Sequence, residues 1–227
     1  MKIQVRGILF DMDGILVSSL GSVERSWAKW GEMRGVDGAT AIKTAHGQRA
    51  IDTIKMLRPD LDAQKELDVV EEIEIADKDD IKILPGVKAL LAALPKDRWT
   101  IATSATKKLA KARLGYAGIT PPEQFISADM VTHGKPNPEP YQRGAAVLGF
   151  APEECLVIED APAGAKAGHA AGCKVMATMF SHSVEQLEYA NWIVTSLEDV
   201  KVQVLEDGLE LEFEPVPRTV AEAAVKA

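Results

Sequence analysis

Between residues 99 and 194 the chain alternates short apolar runs with stretches of helical periodicity, and that alternation restricts its fold more than any other feature. Residues 99–103 read as a strand and 107–115 as a helix. Residues 125–128 read as a short strand and 139–148 as a helix closed by Gly149. Residues 156–159 read as a strand, 163–171 as a helix capped by Gly172, and 175–179 and 192–194 as two more strands. Strands separated by helices run parallel and need cover on both faces. The expected architecture is therefore a doubly wound α/β domain around a parallel sheet. Residues 3–10 add a buried strand ahead of this region, and 87–94 a helix ended by Pro95.

The region from residue 18 to residue 76 differs in kind. Val23, Trp27 and Trp30 share one helical face, as do Ile51, Ile54 and Leu57. Arg58-Pro59-Asp60 breaks that pattern, and residues 61–76 resume it. With no strand signal here, residues 18–81 are expected to form an all-helical insert, and residues 1–17 and 82–227 the α/β core. Trp27 and Trp30 are read as core of the insert rather than as a stacking platform. Near the end, Val202, Val204, Leu209, Leu211 and Phe213 alternate with polar residues around Asp207-Gly208. They predict a β-hairpin at the edge of the sheet. Residues 214–227 hold Pro215, Pro217 and an Ala-rich run, consistent with either a packed terminal helix or a frayed tail.

Composition excludes more than it identifies. The net charge is −8, which argues against a nucleic-acid partner or a general affinity for anionic membranes. No run approaches the roughly 18 apolar residues of a membrane span, and Asp11 cuts short the only early apolar run. A cytoplasmic monomer is the default expectation. Cys155 and Cys173 each lie beside an apolar run and are read as buried, reduced thiols. A disulfide stays open, because both stand near the starts of neighbouring strands.

Chemistry concentrates where the strands are expected to end, which is where open α/β sheets bind ligands. The first strand runs into Asp11-Met12-Asp13-Gly14. Side chains alternate along a strand, so Asp11 and Asp13 can face one site while Met12 faces away. The strand ending at Ala102 leads into Thr103 and Ser104, and the strand ending at Ile158 into Glu159 and Asp160. Between them, Gly134-Lys135-Pro136-Asn137-Pro138 presents a lysine just before a helix. The carboxylates of Asp11, Asp13, Asp160 and Glu159 form an oxygen set suited to magnesium. Thr103, the Ser104 N–H and Lys135 suit the oxygens of a phosphoryl group. Any one of these segments is a common cap or loop. All four in order, each after a buried strand, form a coherent site.

The segments Phe10-Asp11-Met12-Asp13-Gly14-Ile15-Leu16-Val17-Ser18-Ser19, Ile101-Ala102-Thr103-Ser104, Gly134-Lys135-Pro136 and Val157-Ile158-Glu159-Asp160-Ala161-Pro162-Ala163-Gly164 resemble the motifs of the haloacid dehalogenase superfamily. The resemblance covers residues 3 to 200. It implies an aspartate-dependent phosphatase that uses Mg2+, with Asp11 as nucleophile and Asp13 as general acid and base. It also implies a metal held by the Asp11 and Asp160 carboxylates and the Asp13 carbonyl, with Glu159 either a direct ligand or a support. Ile15 stands where many members have Thr. The helical insert is similar to the family's small cap. The stretch Ala45-His46-Gly47-Gln48-Arg49-Ala50-Ile51-Asp52-Thr53-Ile54 resembles the glycerol-phosphate and deoxysugar-phosphate phosphatases, and the hairpin is similar to that of the glycerol-phosphate enzymes. His46, Gly47 and Arg49 are thus implied substrate contacts, and the substrate a small sugar or polyol phosphate.

Two other functions are open to such a chain. One is a sugar phosphomutase of the beta-phosphoglucomutase type. Those enzymes carry a His after the first motif, at the position of Val23 in this register. The other is a non-catalytic binder of phosphorylated metabolites, which has no use for both Asp11 and Asp13.

Overall fold

The expected first strand divides at Arg6. The structure, a computed structural model, describes residues 1–218 and contains β1 (Lys2–Val5) and β2 (Gly7–Phe10) in place of one strand over 3–10. Arg6 is exposed, pairs with Glu154 at 3.0 Å and lies over the Phe150 ring. A charge that must reach water cannot continue a strand buried on both faces. The chain therefore changes sheets at that residue.

After β2 come β3 (Val17–Ser18) and four helices: α1 (Leu20–Arg34), α2 (Gly38–Ala45), α3 (Ala50–Leu57) and α4 (Ala63–Ala76). β4 (Lys82–Ile83) then returns antiparallel to β3, so a two-stranded ribbon joins the helices to the rest of the chain. The helices have an apolar cluster of their own: Trp27, Trp30, Ala41, Ala45, Ile54 and Val70. Trp27 and Trp30 meet edge to face at 5.4 Å, and the Trp30 Nε1–H donates to Glu66 at 2.9 Å. Burying one such ring contributes on the order of 4–6 kcal/mol of transfer free energy, before ordering entropy is subtracted. Local chemistry sets the helix starts. The Asp37 carboxylate accepts from the Thr40 N–H to cap α2, and Asp62 accepts from the N–H groups of Gln64 and Lys65 to cap α4.

The remaining elements are α5 (Val87–Ala93), β5 (Trp99–Ile101), α6 (Lys107–Tyr116), α7 (Glu139–Leu148), β6 (Cys155–Glu159), α8 (Pro162–Ala170), β7 (Lys174–Thr178), β8 (Trp192–Val194), β9 (Lys201–Leu205) and β10 (Gly208–Glu212). Five strands form a parallel sheet in the order β5-β2-β6-β7-β8. Alternate residues face opposite layers. Ile8, Phe10, Ile101, Leu156, Ile158 and Met176 enter one apolar cluster, while Leu9, Val157, Val175 and Ala177 enter the other. Such double cover is why these strands read as unbroken apolar runs. Cys155 and Cys173 are buried and free, and burial pushes both thiols up to about 12.

Two further expectations change. Residues 125–128 do not form a strand. Ile126 makes one isolated bridge with Ala102, and a 3-10 turn begins at Ala128. The Asp129 carboxylate, on that turn, accepts from the Lys107 N–H at the start of α6. The hairpin β9–β10 forms as read, but it does not extend the parallel sheet. It pairs through β10 with β1 in a separate antiparallel sheet, ordered β1-β10-β9. Burial of Leu209, Leu211 and Phe213 against the main cluster, with Phe213 edge-on to Trp192, holds it there. The fate of the Ala-rich run after Pro217 lies outside the described residues. Among those described, no helix is long and apolar enough to cross a membrane.

Candidate active site

At the end of β2 the Asp11 N–H still donates to the Ile158 carbonyl, so Asp11 leaves the sheet at a fixed place beside β6. Met12 turns into the core, while Asp11 and Asp13 line a cavity of about 560 Å3. Gly14 follows at φ 81°, a left-handed conformation that favours glycine, and a Cβ there would lie 2.0 Å from Asp160 Oδ2. The turn brings the first acidic segment against the last one.

Lys135 ties these segments together. Its buried Nζ donates to Asp11 Oδ1 and to Glu159 Oε1, each at 2.7 Å. Tyr141 OH, in the first turn of α7, also donates to Glu159 Oε1 at 2.7 Å. The N–H groups of Asp160 and Ala161 donate to Glu159 Oε2 at 2.9 and 3.1 Å. Both Glu159 oxygens are thus committed to shaping the site. Gly164 permits this, since a Cβ there would sit 1.6 Å from Glu159 Oε1.

Burial dominates the electrostatics. It raises Asp11 to about 7 against the pull of Lys135, and raises Asp160 well above its ordinary value, with Glu159 and Asp11 adding to the effect. Burial acts in the same sense on Glu159, but Lys135, Tyr141 and the Ala161 N–H outweigh it and hold that carboxyl low. Desolvation alone would lower Lys135, yet its two carboxylate partners hold it above its ordinary value. Oxygens of Asp11, Glu159 and Asp160 lie within 4.8 Å of one another. Three buried carboxylates around one ammonium leave excess negative charge, and an all-oxygen donor set of that kind fits a hard divalent cation. Ser181 Oγ steadies Asp160 by donating to Oδ2 at 2.5 Å.

The Asp13 carboxylate lies apart from that group. Ser19 Oγ donates to its Oδ1 at 2.6 Å, and Arg113 Nη1 to its Oδ2 at 2.9 Å. Thr103 is buried at the cavity wall, its Oγ1 accepting from the Ala105 N–H at 3.1 Å. Ser104 lines the same cavity, and its hydroxyl donates to the Gly47 carbonyl at 3.4 Å, joining the α2–α3 loop to the sheet end. From that loop, His46 lines the cavity with its Nε2 buried and unpartnered. Gly47 adopts φ 70° against Ala161. Arg49 reaches the cavity rim, but its guanidinium is engaged with Asp52 at 2.6 Å and with the Val131 carbonyl at 2.9 Å. Val23, Trp27, Ile51 and Leu67 give the helical side of the cavity its apolar wall.

Sequence reasoning gave no role to Ser19 or Tyr141, though both stand in segments of family likeness, and passed over Glu74, Arg113 and Ser181. Arg113 carried one signal: it lies four residues after Leu109 and one before Leu114, on the face of α6 that turns inward.

A buried carboxylate–lysine cluster at the carboxyl ends of a parallel sheet, covered by helices, is an α/β site suited to a hard cation and an anionic ligand. Residues 5–172 match the haloacid dehalogenase-like hydrolase family, and the chain belongs to it. It is 39% identical over 208 residues to hexitol phosphatase A of Escherichia coli, covering 89% of this chain and 96% of that one. It is 34% identical over 216 residues to glycerol-1-phosphate phosphohydrolase 2 of Saccharomyces cerevisiae, covering 89% and 86%. Among solved structures it shares the fold of a beta-phosphoglucomutase from Clostridium difficile, with a TM-score of 0.75 at 24% identity over 87% of this chain and 93% of that one.

Proposed function

We propose that this chain is a magnesium-dependent phosphatase that hydrolyses the phosphate monoester of a small sugar or polyol through an aspartyl-phosphate intermediate. The observation that carries this reading is the placement of Asp11, paired to Lys135 at 2.7 Å, beside a separately held Asp13 in one covered cavity. In the first step an Asp11 carboxylate oxygen bonds to phosphorus, the ester P–O bond breaks, and Asp13 gives its proton to the departing alkoxide. In the second, Asp13 takes a proton from water as its oxygen bonds to phosphorus. The Asp11–phosphorus linkage then breaks and inorganic phosphate leaves. Lys135, Thr103 and the Ser104 N–H hold the phosphoryl oxygens. Asp11, Asp160 and the Asp13 carbonyl would hold Mg2+, whose charge offsets the repulsion between carboxylate and phosphate. Glu159 keeps Lys135 in place.

Residues 18–81 act as a cap over the core formed by 1–17 and 82–227, excluding water and contacting the substrate through His46, Gly47 and Arg49. The names of the relatives, and a cavity large enough for a six-carbon ester, support a sugar or polyol phosphate. Val23, which lines the cavity, has no group to move a proton, and this weighs against the mutase.

The reading is tested with a panel of glycerol, hexitol and hexose phosphates, scored for phosphate release with Mg2+ and with a chelator. Release that needs Mg2+ is expected for at least one polyol or sugar ester. Interconversion of sugar 1- and 6-phosphates without net release would overturn it. Cation binding has its own signature. Asp11 and Asp160 bind protons more tightly than ordinary carboxylates, so Mg2+ must displace protons as pH falls. The rise in melting temperature on adding Mg2+ is therefore expected to be larger near about pH 8 than near about pH 6. An equal rise at both, followed by calorimetry or fluorescence, would count against these ligands.

A further inference from the structure

We propose that Arg113 is a positioning residue. It sets the Asp13 carboxylate for proton transfer and makes that setting depend on the docking of α4. This inference rests on the reading of Asp13 as the acid–base group. The Arg113 side chain is 4% exposed, and its fork spans two carboxylates from different parts of the fold. Nη1 donates to Asp13 Oδ2 at 2.9 Å and Nη2 to Glu74 Oε1, on α4, at 3.1 Å. Ser19 Oγ holds the other Asp13 oxygen at 2.6 Å. Asp13 is thus gripped from both flanks.

The inward face of α6 is otherwise apolar, with Leu109, Ala110 and Leu114 buried beside Arg113. An aliphatic residue would pack there without the cost of burying a guanidinium. A planar fork offers a separate N–H group, at a fixed angle, to each of the two carboxylates. Glu74 is as buried as Arg113, its side chain 5% exposed, and it comes from the helical side of the cavity. One turn earlier on α4, Glu71 accepts from the Thr106 hydroxyl and pairs with Lys108 at 2.6 Å. The carboxylates of α4 therefore meet the cations of α6 in a row, and Arg113 carries that contact through to Asp13. With α4 withdrawn, Arg113 loses one of its two anchors, and Asp13 is left to Ser19 and a less constrained guanidinium. The proton donor is set when the cavity is covered.

The readout is leaving-group dependence. An alkoxide leaves poorly without a proton, whereas p-nitrophenolate leaves without one. The pair is replaced together, Arg113→Met with Glu74→Gln, so that no buried charge is left alone. For the polyol or sugar phosphate turned over best in the panel above, kcat/KM is expected to fall by about 100-fold, and for p-nitrophenyl phosphate by less than about threefold. Arg113→Lys keeps the charge and loses the fork; it should show a smaller split of the same sign, and it carries the test should the double variant not fold. Equal losses on both substrates, or no loss, would overturn the role of Arg113. Asp13→Asn is the control. If it too shows no split, the acid–base reading of Asp13 fails. If it splits and the Arg113 variants do not, only the positioning role fails.

Discussion

Asp11→Asn is expected to abolish turnover of every phosphate ester tested while leaving the fold intact. The amide keeps the size and one acceptor oxygen of the carboxylate, so Lys135 retains a hydrogen-bond partner there as well as its pairing with Glu159. What goes is the oxygen that, in the proposed mechanism, bonds to phosphorus. Removing a nucleophile costs at least about 10⁴-fold in kcat, or about 5 kcal/mol of barrier. Stability should move little. Burial already raises Asp11 to about 7, so its charge is tolerated rather than favoured in the folded chain. The melting temperature is expected to stay within about 3 °C of the parent. Steady-state kinetics over the substrate panel and a thermal melt check both halves. Full activity in the variant would end the aspartyl-phosphate mechanism. Inactivity with a collapsed melt would place Asp11 among structural residues instead.

The parts of this molecule that are legible in its sequence are those whose cause is local. Leu156, Val157 and Ile158 read as a buried strand because both of their faces meet apolar layers. Asp11, Thr103, Glu159 and Asp160 stood out because each is a polar residue set directly after such a run, and Lys135 because prolines constrain its loop. All of these line one cavity. Long-range causes left no such mark. Arg6 divides the first strand because of Glu154 and Phe150, far along the chain. The hairpin signal at Asp207-Gly208 was local and correct, but its pairing with β1 depends on where Leu209 and Leu211 find apolar cover.

The same division runs through the site. Ile126 is apolar enough for a strand, yet the chain turns after one bridge, and Asp129 then accepts from the Lys107 N–H at the start of α6. Arg49 reads as a cation for substrate, and the sequence did not show that Asp52, at helical spacing, also engages its guanidinium at the cavity rim. Tyr141, in the first turn of α7, and Arg113, inside α6, reach partners 18 and 100 residues away. A charged residue on the apolar face of α6 was the one visible sign, and it becomes informative only when Glu74 and Asp13 are seen to converge on it.

Lys135→Met should have the largest effect on stability, and its pH dependence identifies the cause. Methionine fills much of the same space, so packing changes little. What is lost is the cation that faces both Asp11 and Glu159. Removing one partner from a buried ionic cluster costs about 3–5 kcal/mol, because the remaining charges are neither solvated nor paired. For a chain of this size that corresponds to a fall of roughly 6–20 °C in melting temperature. With Lys135 gone, burial loses its strongest opponent and the folded-state affinities of Asp11 and Glu159 for protons rise. A carboxyl raised in the folded state favours folding while it is protonated in both states, and loses that advantage as pH rises through its folded value. The deficit relative to the parent should therefore be smallest in mild acid and grow toward neutral and alkaline pH. Added Mg2+ should recover part of it by supplying the missing positive charge, without restoring turnover, since the phosphoryl oxygens have lost their lysine. Urea denaturation across pH, with and without Mg2+, measures all three effects. A deficit that did not vary with pH would mean that Lys135 acts through packing alone.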